Sequence, residues 1–271
     1  MSSDDLSFYI EGTNGKGVVL IHGLTGAPAE MKLVARQLNR KGYSVYVPLL
    51  AGHGGTVAAL RQSNWKDWLE SVLQAAELMA TRVQEVYSAG ICVGGKLSML
   101  AADRAPGVIN AVAIYSPCFR YDGWDVPFYY PLLSSQVGWL SRIPFLDRIN
   151  FSETSSLGIK DQRMRRMIEG MASNGILEKF PGKGLVEMYK LGNALKSRLS
   201  QIHTPTLILH AVEDDLSSPK HARYIAEHLG GPHELKWIED SYHMIHVDRQ
   251  HRQVADFTAE FFEASHAANR T

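Results

Sequence analysis

A cysteine stands where the local sequence pattern places a reactive side chain. Residues 88–98 read SAGICVGGKLS, so the apolar segment EVYSAGI (85–91) runs through a turn around Cys92 into a helix-like stretch, KLSMLAADRA. Strand, tight turn and helix in this order are typical of a nucleophile elbow, whose usual pattern is G-x-S-x-G. Here the pattern is G-x-C-x-G, and it predicts that Cys92 is a nucleophile.

A thiol attacks a carbonyl group only as the thiolate, so Cys92 needs a nearby base or a lowered pKa. The elbow supplies part of this, because a helix that begins at Val93 directs the positive end of its dipole at the sulfur. A buried structural cysteine is the alternative, since free cysteines are among the most buried residues. The rest of the sequence favours the reactive role.

The loop IHGLTG (21–26) follows a strand that precedes the elbow strand. In enzymes built around such an elbow, a loop at this place donates one backbone N–H to the oxyanion, and the residue after the nucleophile donates the other. This assigns the amides of Leu24 and Val93. His22 comes before the elbow, so it is interpreted as a structural residue that shapes the loop.

Three acidic residues are candidates for the carboxylate that orients the catalytic base. Asp214 lies just past the apolar run PTLILHAVE (205–213), where a carboxylate at the carboxyl end of a strand faces the same crevice as the elbow. Asp215 and Glu213 are its rivals, and spacing alone separates the three poorly.

The base is sought among the histidines that follow the acid, because the chain order around such an elbow is nucleophile, acid, histidine. His243 in EDSYHMIHVD comes at the end of the last predicted strand and is preferred to His246. His221 and His228 lie in a helical pattern and are expected to be solvated.

Six short apolar runs alternate with amphipathic segments along the chain. The runs end in Gly, Pro or Asp and are predicted to be strands, at 18–24, 43–50, 85–91, 109–117, 205–213 and 233–240. Between them, AEMKLVARQLNRKG ends on Gly42 as a helix does, and WKDWLESVLQAAELMATR follows a cap at Ser63 or Asn64. Apolar strands that alternate with helices predict an α/β fold with a mostly parallel sheet covered on both faces.

Residues 119–200 interrupt this alternation, and no clear strand is predicted there. Nine aromatic residues fall between positions 119 and 151, against 9% in the whole chain, which favours a cap that covers an apolar ligand. A second small core without a ligand is the alternative. The predicted organisation is a core of residues 1–118 and 201–271 with an inserted cap of residues 119–200, and the expected substrate contacts are Trp124, Phe128, Tyr129 and Trp139.

The segments LIHGLTG, GYSVYVPLLAGHG, the elbow, LHAVEDDLSSP and SYHMIHVD resemble the small bacterial carboxylesterases and monoacylglycerol-lipase-like enzymes of the α/β-hydrolase superfamily. The resemblance runs from about Gly17 to Phe262 and is weak in residues 119–200. It implies an α/β-hydrolase fold, a nucleophile at the position of Cys92, a catalytic His243 that Asp214 orients, and an oxyanion hole formed by the backbone amides of Leu24 and Val93. It places Asp214, and not Asp215, in the acid position.

The cysteine departs from that family, in which the nucleophile is serine. GICVGG also resembles the elbows of dienelactone hydrolases and polyhydroxyalkanoate synthases, although the rest of the chain does not. A thioester at Cys92 would suit transfer of the acyl group to another nucleophile, whereas the whole-chain resemblance favours hydrolysis of an apolar ester or thioester. A serine esterase with a Ser→Cys change at the elbow is the third explanation.

The composition is that of a soluble globular protein. The 271 residues carry 28 basic and 28 acidic side chains, which does not favour a nucleic-acid partner. The amino-terminal residues lack the pattern of a signal peptide and no apolar stretch is long enough for a bilayer, so a cytoplasmic location is expected. No metal or nucleotide motif occurs, and no cofactor is predicted.

Two further points stay open from the sequence. A non-catalytic binding protein with this fold would be expected to lose members of the triad, which disfavours it. The basic run RMRRM (163–167) is interpreted as a solvated helix face, with an anionic partner such as a carrier's phosphopantetheine or a lipid head group as the alternative. The expected partner is otherwise a small-molecule or carrier-bound acyl substrate.

Overall fold

The computed structural model describes residues 6–126, 150–152, 158–169, 177 and 179–269. The strands are β1 (Phe8–Ile10), β2 (Lys16–Ile21), β3 (Ser44–Val47), β4 (Glu85–Ile91), β5 (Ile109–Tyr115), β6 (Asn150–Ser152), β7 (Lys179–Pro181), β8 (Thr206–Ala211) and β9 (His233–Ile238). The α-helices are α1 (Lys32–Arg40), α2 (Val57–Gln62), α3 (Trp65–Ala80), α4 (Val93–Arg104), α5 (Gln162–Glu169), α6 (Gly182–Lys196), α7 (Lys220–His228) and α8 (His251–Asn269).

Seven strands form one sheet in the order β1-β3-β2-β4-β5-β8-β9. Only β1 runs antiparallel to its neighbour, and the remaining pairs of this sheet are parallel. The central strands are buried along their length, as β2 shows with Val18–Ile21 wholly inaccessible, because parallel strands are covered on both faces. The predicted α/β-hydrolase fold class is confirmed, as are the six predicted strands.

Helices pack in two groups around this sheet. α1 packs against α8, while α4 packs on β4 and β5 and is contacted in turn by α3 and α6. The helix α3 begins at Asn64, whose side chain accepts the amide of Lys66 while Asp67 accepts the amide of Asn64. The sequence left Ser63 and Asn64 open as caps, and the structure selects Asn64.

The segment between β5 and β8 contains two strands that the sequence did not predict. β6 and β7 pair antiparallel as a separate two-stranded sheet, and each has only three residues, too few to show an alternating pattern. At its carboxyl end, α6 joins the main core, where Met188, Leu191 and Leu195 are fully buried. The boundaries of the cap stay a prediction.

Within the part of the chain that the structure describes, no helix is long and apolar enough to cross a membrane.

Candidate active site

Cys92 occupies the turn between β4 and α4 in a backbone conformation that an L-residue rarely adopts. Its φ is 53° and its ψ is −105°, which marks a strained residue held in place by its surroundings. The flanking glycines explain how the turn is tolerated: a Cβ on Gly94 would lie 2.3 Å from the carbonyl oxygen of Ile21, and one on Gly90 would lie 2.5 Å from the backbone of Gly94. The elbow therefore packs directly on β2, and this close packing requires glycine at both glycine positions of the pattern G-x-C-x-G.

The imidazole of His243 connects Cys92 with Asp214. Nδ1 of His243 lies 2.8 Å from Oδ2 of Asp214, and the His243 and Cys92 side chains are close enough for each to shift the pKa of the other. All three side chains are buried, with between 2% and 6% of their residue surface exposed. The structure thus brings together the three residues that the sequence selected from separate segments.

Asp215 points elsewhere, although it is adjacent to Asp214 in sequence. Its carboxylate accepts the backbone N–H of His243 at 3.2 Å and that of Gly158 at 2.8 Å, so it supports the loop and does not touch the imidazole. Glu213 is exposed and pairs with Lys160 at the surface. Geometry therefore separates the three acidic residues that spacing could not.

The other histidines differ from His243 in their surroundings. His246 is fully buried, and among the described residues neither of its ring nitrogens has a hydrogen-bond partner; burial lowers its pKa to about 3. His221 is not solvated as expected: it is 6% exposed, accepts the amide of Phe119 and lies 3.4 Å from Asp122. The helical pattern of α7 predicted its backbone correctly but not which face is covered.

His210 is a second neighbour of Asp214 that the sequence did not single out. Its Nε2 lies 3.3 Å from Oδ2 of Asp214 and donates to the carbonyl of Ser217 at 3.0 Å. Burial lowers its pKa, so the neutral ring donates a hydrogen bond without adding charge. Its signal in the sequence is a polar residue that follows the apolar run LIL within the strand β8, TLILHA.

The loop at residues 21–26 is held by buried polar contacts. His22 donates from Nδ1 to the carbonyl of Gly23 and accepts the amide of Leu50 at Nε2, and burial lowers its pKa to about 3. Glu30 is 4% exposed and accepts the amide of Gly23 at 2.7 Å. A neutral His22 with a hydrogen bond at each ring nitrogen fits the structural role that the sequence predicted for it.

A cleft lies over Cys92. Among the described residues it is lined by Cys92, His243, Glu30, the loop residues Gly23, Leu24, Thr25 and Gly26, and the side chains of Ile91, Tyr121, Leu216 and Met244. Leu24 belongs to this lining, and Val93 is the first residue of α4, directly after Cys92. Of the two predicted oxyanion donors, Val93 is therefore adjacent to Cys92 in sequence, and Leu24 lines the same cleft as Cys92.

The aromatic residues expected to contact substrate are only partly placed. Trp124 is 62% exposed, donates from its indole nitrogen to the carbonyl of Glu213 and packs edge-on against Tyr242, outside the lining of the cleft. Phe128, Tyr129 and Trp139 lie outside the described residues. Tyr121 lines the cleft and was not singled out as a contact, although it belongs to the same aromatic segment.

The electrostatics of the three central side chains favour an ion pair of thiolate and imidazolium. The neighbouring thiol of Cys118, together with His243 and Lys96, holds the pKa of Cys92 well below its usual value against the effect of burial. Burial opposes the charged form of His243, but Asp214 and Cys92 raise its pKa well above the usual value. Burial also opposes the charge of Asp214, yet the nearby imidazole keeps the pKa of that carboxyl low.

Comparison with known proteins agrees with this architecture. The chain is 28% identical over 262 residues, 96% of this chain and 94% of the other, to a thermostable monoacylglycerol lipase of Bacillus sp. (strain H-257). It is 24% identical over 250 residues, 92% of each chain, to a carboxylesterase of Bacillus subtilis (strain 168). A solved structure reported for the metagenome-derived lipolytic enzymes LipS and LipT superposes with a TM-score of 0.80 at 23% identity, over 95% of this chain and 97% of that one.

Residues 13–250 match the family described as serine aminopeptidase, S33, a family of hydrolases. The family description names a serine, whereas this chain has Cys92 at the elbow. The match covers most of the chain and includes the elbow, the acid loop and the histidine loop, so the chain belongs to this family of α/β-hydrolases.

Proposed function

We propose that the protein is an acyl hydrolase that acts through a Cys92–His243–Asp214 triad and a covalent acyl-enzyme, on an ester or thioester with an apolar acyl group. The observation that carries the proposal is the position of His243, whose Nδ1 lies 2.8 Å from Asp214 and which lines the same cleft as Cys92. Nucleophile, base and orienting carboxylate in this arrangement are the requirements of covalent acyl transfer.

In the first half of the reaction, the thiolate of Cys92 attacks the acyl carbonyl carbon. The carbonyl oxygen becomes an oxyanion, which the backbone N–H groups of Leu24 and Val93 stabilise. When the tetrahedral intermediate collapses, the bond to the leaving group breaks and the leaving group takes a proton from the His243 imidazolium. Cys92 then carries the acyl group as a thioester, and His243 is neutral.

In the second half, neutral His243 takes a proton from water, and the resulting hydroxide equivalent attacks the thioester carbonyl. Collapse of this intermediate breaks the carbon–sulfur bond and releases the carboxylic acid. The thiolate and the imidazolium are thereby regenerated, and Asp214 stabilises the imidazolium in both halves.

The apolar acyl group is inferred from the cleft and from the relatives. Leu24, Ile91, Leu216 and Met244 contribute apolar side chains to the wall beside Cys92. The related proteins are a monoacylglycerol lipase and a carboxylesterase, which supports an ester with a hydrocarbon chain as substrate. The segment 119–200, interpreted as a cap, would cover that chain.

Acyl transfer is the second candidate, and the observation that favours it is the cysteine itself. A thioester at Cys92 is discharged by amines and thiols more readily than an oxygen ester is. Transfer would use the same first half-reaction. In the second half-reaction, an amine or thiol would attack the thioester in place of water.

The test is the intact mass of the protein after mixing with p-nitrophenyl acyl esters and acyl thioesters of several lengths, together with release of nitrophenol. We expect an acyl adduct on Cys92 and steady turnover to free acid; an adduct that discharges mainly to an added amine or thiol would favour transfer. Cys92→Ala, checked for folding by circular dichroism, should form no adduct, and acylation retained in that variant would contradict the proposal. Faster turnover by Cys92→Ser than by the native protein would instead indicate a serine hydrolase altered at its nucleophile.

A further inference from the structure

A lysine is buried next to the nucleophile. Lys96 lies four residues after Cys92, on the first turn of α4, and only 1% of its surface is exposed. Its Nζ donates to the carbonyl of Cys118 at 2.6 Å, with the carbonyl of Met188 at 3.5 Å. Among the residues that the structure describes, no carboxylate forms an ion pair with it.

A buried ammonium group without an anion is unfavourable, so such a lysine either loses its proton or is compensated by a nearby negative charge. Burial does lower the pKa of Lys96, and exposed Lys196 repels it, whereas the sulfur atoms of Cys92 and Cys118 raise that pKa. The groups around Lys96 that can supply a negative charge are therefore thiols.

Cys118 is fully buried just after β5, beside the elbow. Its S–H donates to the carbonyl of Arg120 at 3.2 Å, and its sulfur is close enough to Cys92 for each thiol to shift the pKa of the other. A single S–H proton serves one strong hydrogen bond at a time, and an ionised sulfur is the stronger acceptor. The pKa of Cys118 is raised well above its usual value by burial and by Cys92, so Cys118 is the thiol that keeps its proton.

We propose that Cys118 and Lys96 are positioning residues that hold Cys92 as the thiolate. Cys118 donates its S–H to the Cys92 sulfur, and the Lys96 ammonium fixes the backbone of Cys118 through its carbonyl and balances the charge of the thiolate. The inference rests on the proposed role of Cys92 as nucleophile. It implies that the surroundings of the elbow are built for sulfur.

Charge balance is the physical reason. With Cys92 ionised, the anions Cys92 and Asp214 are matched by the cations Lys96 and the His243 imidazolium, while the buried carboxyl group of Asp215 accepts the backbone N–H of His243. A neutral serine hydroxyl at position 92 would leave the buried ammonium without its counter-charge. The groups near Cys92 are Cys118 after β5, Lys96 on α4 and His243 after β9, with Asp214 behind the imidazole and Glu30 in the lining of the cleft.

The test is the pH dependence of alkylation of Cys92 by iodoacetamide, located by peptide mass, in the full-length protein. Because only the thiolate reacts, the midpoint of the rate reports the pKa of the coupled site. We expect Cys118→Ala and Lys96→Met each to raise the midpoint by about one pH unit, so that alkylation below the native midpoint slows by about tenfold and converges at alkaline pH. Cys118→Ser restores a donor, and Lys96→Arg restores a cation, so each should return the midpoint toward the native value.

Lys66→Met is the matched control. Lys66 is exposed on α3 with its ammonium over the ring of Trp65, and its loss should leave the midpoint unchanged. A native midpoint in folded Cys118→Ala and Lys96→Met would overturn the proposal.

A second measurement does not depend on removing the lysine. Because the interaction of two charges is reciprocal, loss of the thiolate in Cys92→Ala must lower the pKa of Lys96. This is followed by the ¹³Cε shift of the lysines during a pH titration, with Lys96 assigned by its absence from Lys96→Arg. An identical titration of Lys96 in native protein and Cys92→Ala would contradict the inference.

The two proposals fail in different ways. A low alkylation midpoint that depends on Cys118 and Lys96, without any acyl adduct, would remove the proposed function and leave the thiolate environment standing. An acyl adduct on Cys92, together with an alkylation midpoint that neither variant changes, would support the proposed function and remove the proposed role of Cys118 and Lys96.

Discussion

At the scale of single residues, adjacent aspartates have different tasks. Asp214 contacts the imidazole of His243, whereas Asp215 accepts backbone amides of His243 and Gly158. Both are 2% exposed, so neither burial nor sequence position distinguishes them. The two aspartates are distinguished by the direction in which each side chain points after β8.

Asp214→Asn should therefore reduce kcat/KM for a p-nitrophenyl ester far more than Asp215→Asn. An amide in place of the Asp214 carboxylate no longer stabilises the imidazolium and favours the wrong tautomer, which costs about 10⁴-fold in a Ser-His-Asp triad. Asp215→Asn keeps an oxygen acceptor for the backbone amides and is the matched control, with an expected loss below about tenfold because its bonds orient the loop and not the ring. Equal losses in the two variants would contradict the assignment of Asp214.

At the scale of elements, the elbow depends on the close approach of α4 to β2. Because a Cβ on Gly94 would meet the carbonyl oxygen of Ile21 at 2.3 Å, the obstacle is backbone and cannot move aside as a flexible side chain would. The same contact sets the position of the Val93 amide, which directly precedes Gly94.

Gly94→Ala should lower the free energy of unfolding by about 1–3 kcal/mol through overpacking. It should also reduce kcat, because the displaced amide of Val93 no longer points at the oxyanion. Gly55→Ala is the control, since nothing lies within 4 Å of a Cβ at that position. Urea unfolding and esterase assays measure the two effects, and a Gly94→Ala protein as stable and active as Gly55→Ala would show that the close approach is not required.

At the scale of the whole molecule, buried neutral histidines make the fold sensitive to acid. Burial lowers the pKa of His22 and of His246 to about 3 and that of His53 to about 4. A histidine in the unfolded chain binds its proton near pH 6.5, so the stability from keeping these rings neutral is complete above about pH 6.5. It is lost as the pH falls from there toward the lower pKa of each folded ring.

Below about pH 6.5 the free energy of unfolding falls as the pH falls, and His246→Leu should make this slope shallower by about 1.4 kcal/mol per pH unit. At pH 7.5 the same change should cost little, because the described residues offer the ring no hydrogen bond to lose. His228→Leu, at an exposed position on α7, is the control and should leave the slope unchanged. The check is urea unfolding between pH 4.5 and 7.5; equal slopes for native protein and His246→Leu would show that His246 carries no such penalty.

Much of this architecture could be predicted from the order of the residues. The apolar runs alternate with helical segments, so the parallel sheet followed from periodicity, and the elbow, the acid loop and the histidine loop each follow a predicted strand end. The strands β1, β6 and β7 were missed because three residues are too short for a periodic pattern.

By itself, the sequence determined the fold class and the three segments that meet at the site, because parallel strands bring their carboxyl ends to one edge of the sheet. Spacing did not separate Asp214 from Asp215 and Glu213, and only the tertiary structure decided that His221 is buried and that Cys118 and Lys96 lie beside Cys92. Those facts depend on side-chain direction and on contacts between segments that are distant along the chain. They are set by packing around Cys92, where neighbouring residues in sequence face different partners in space.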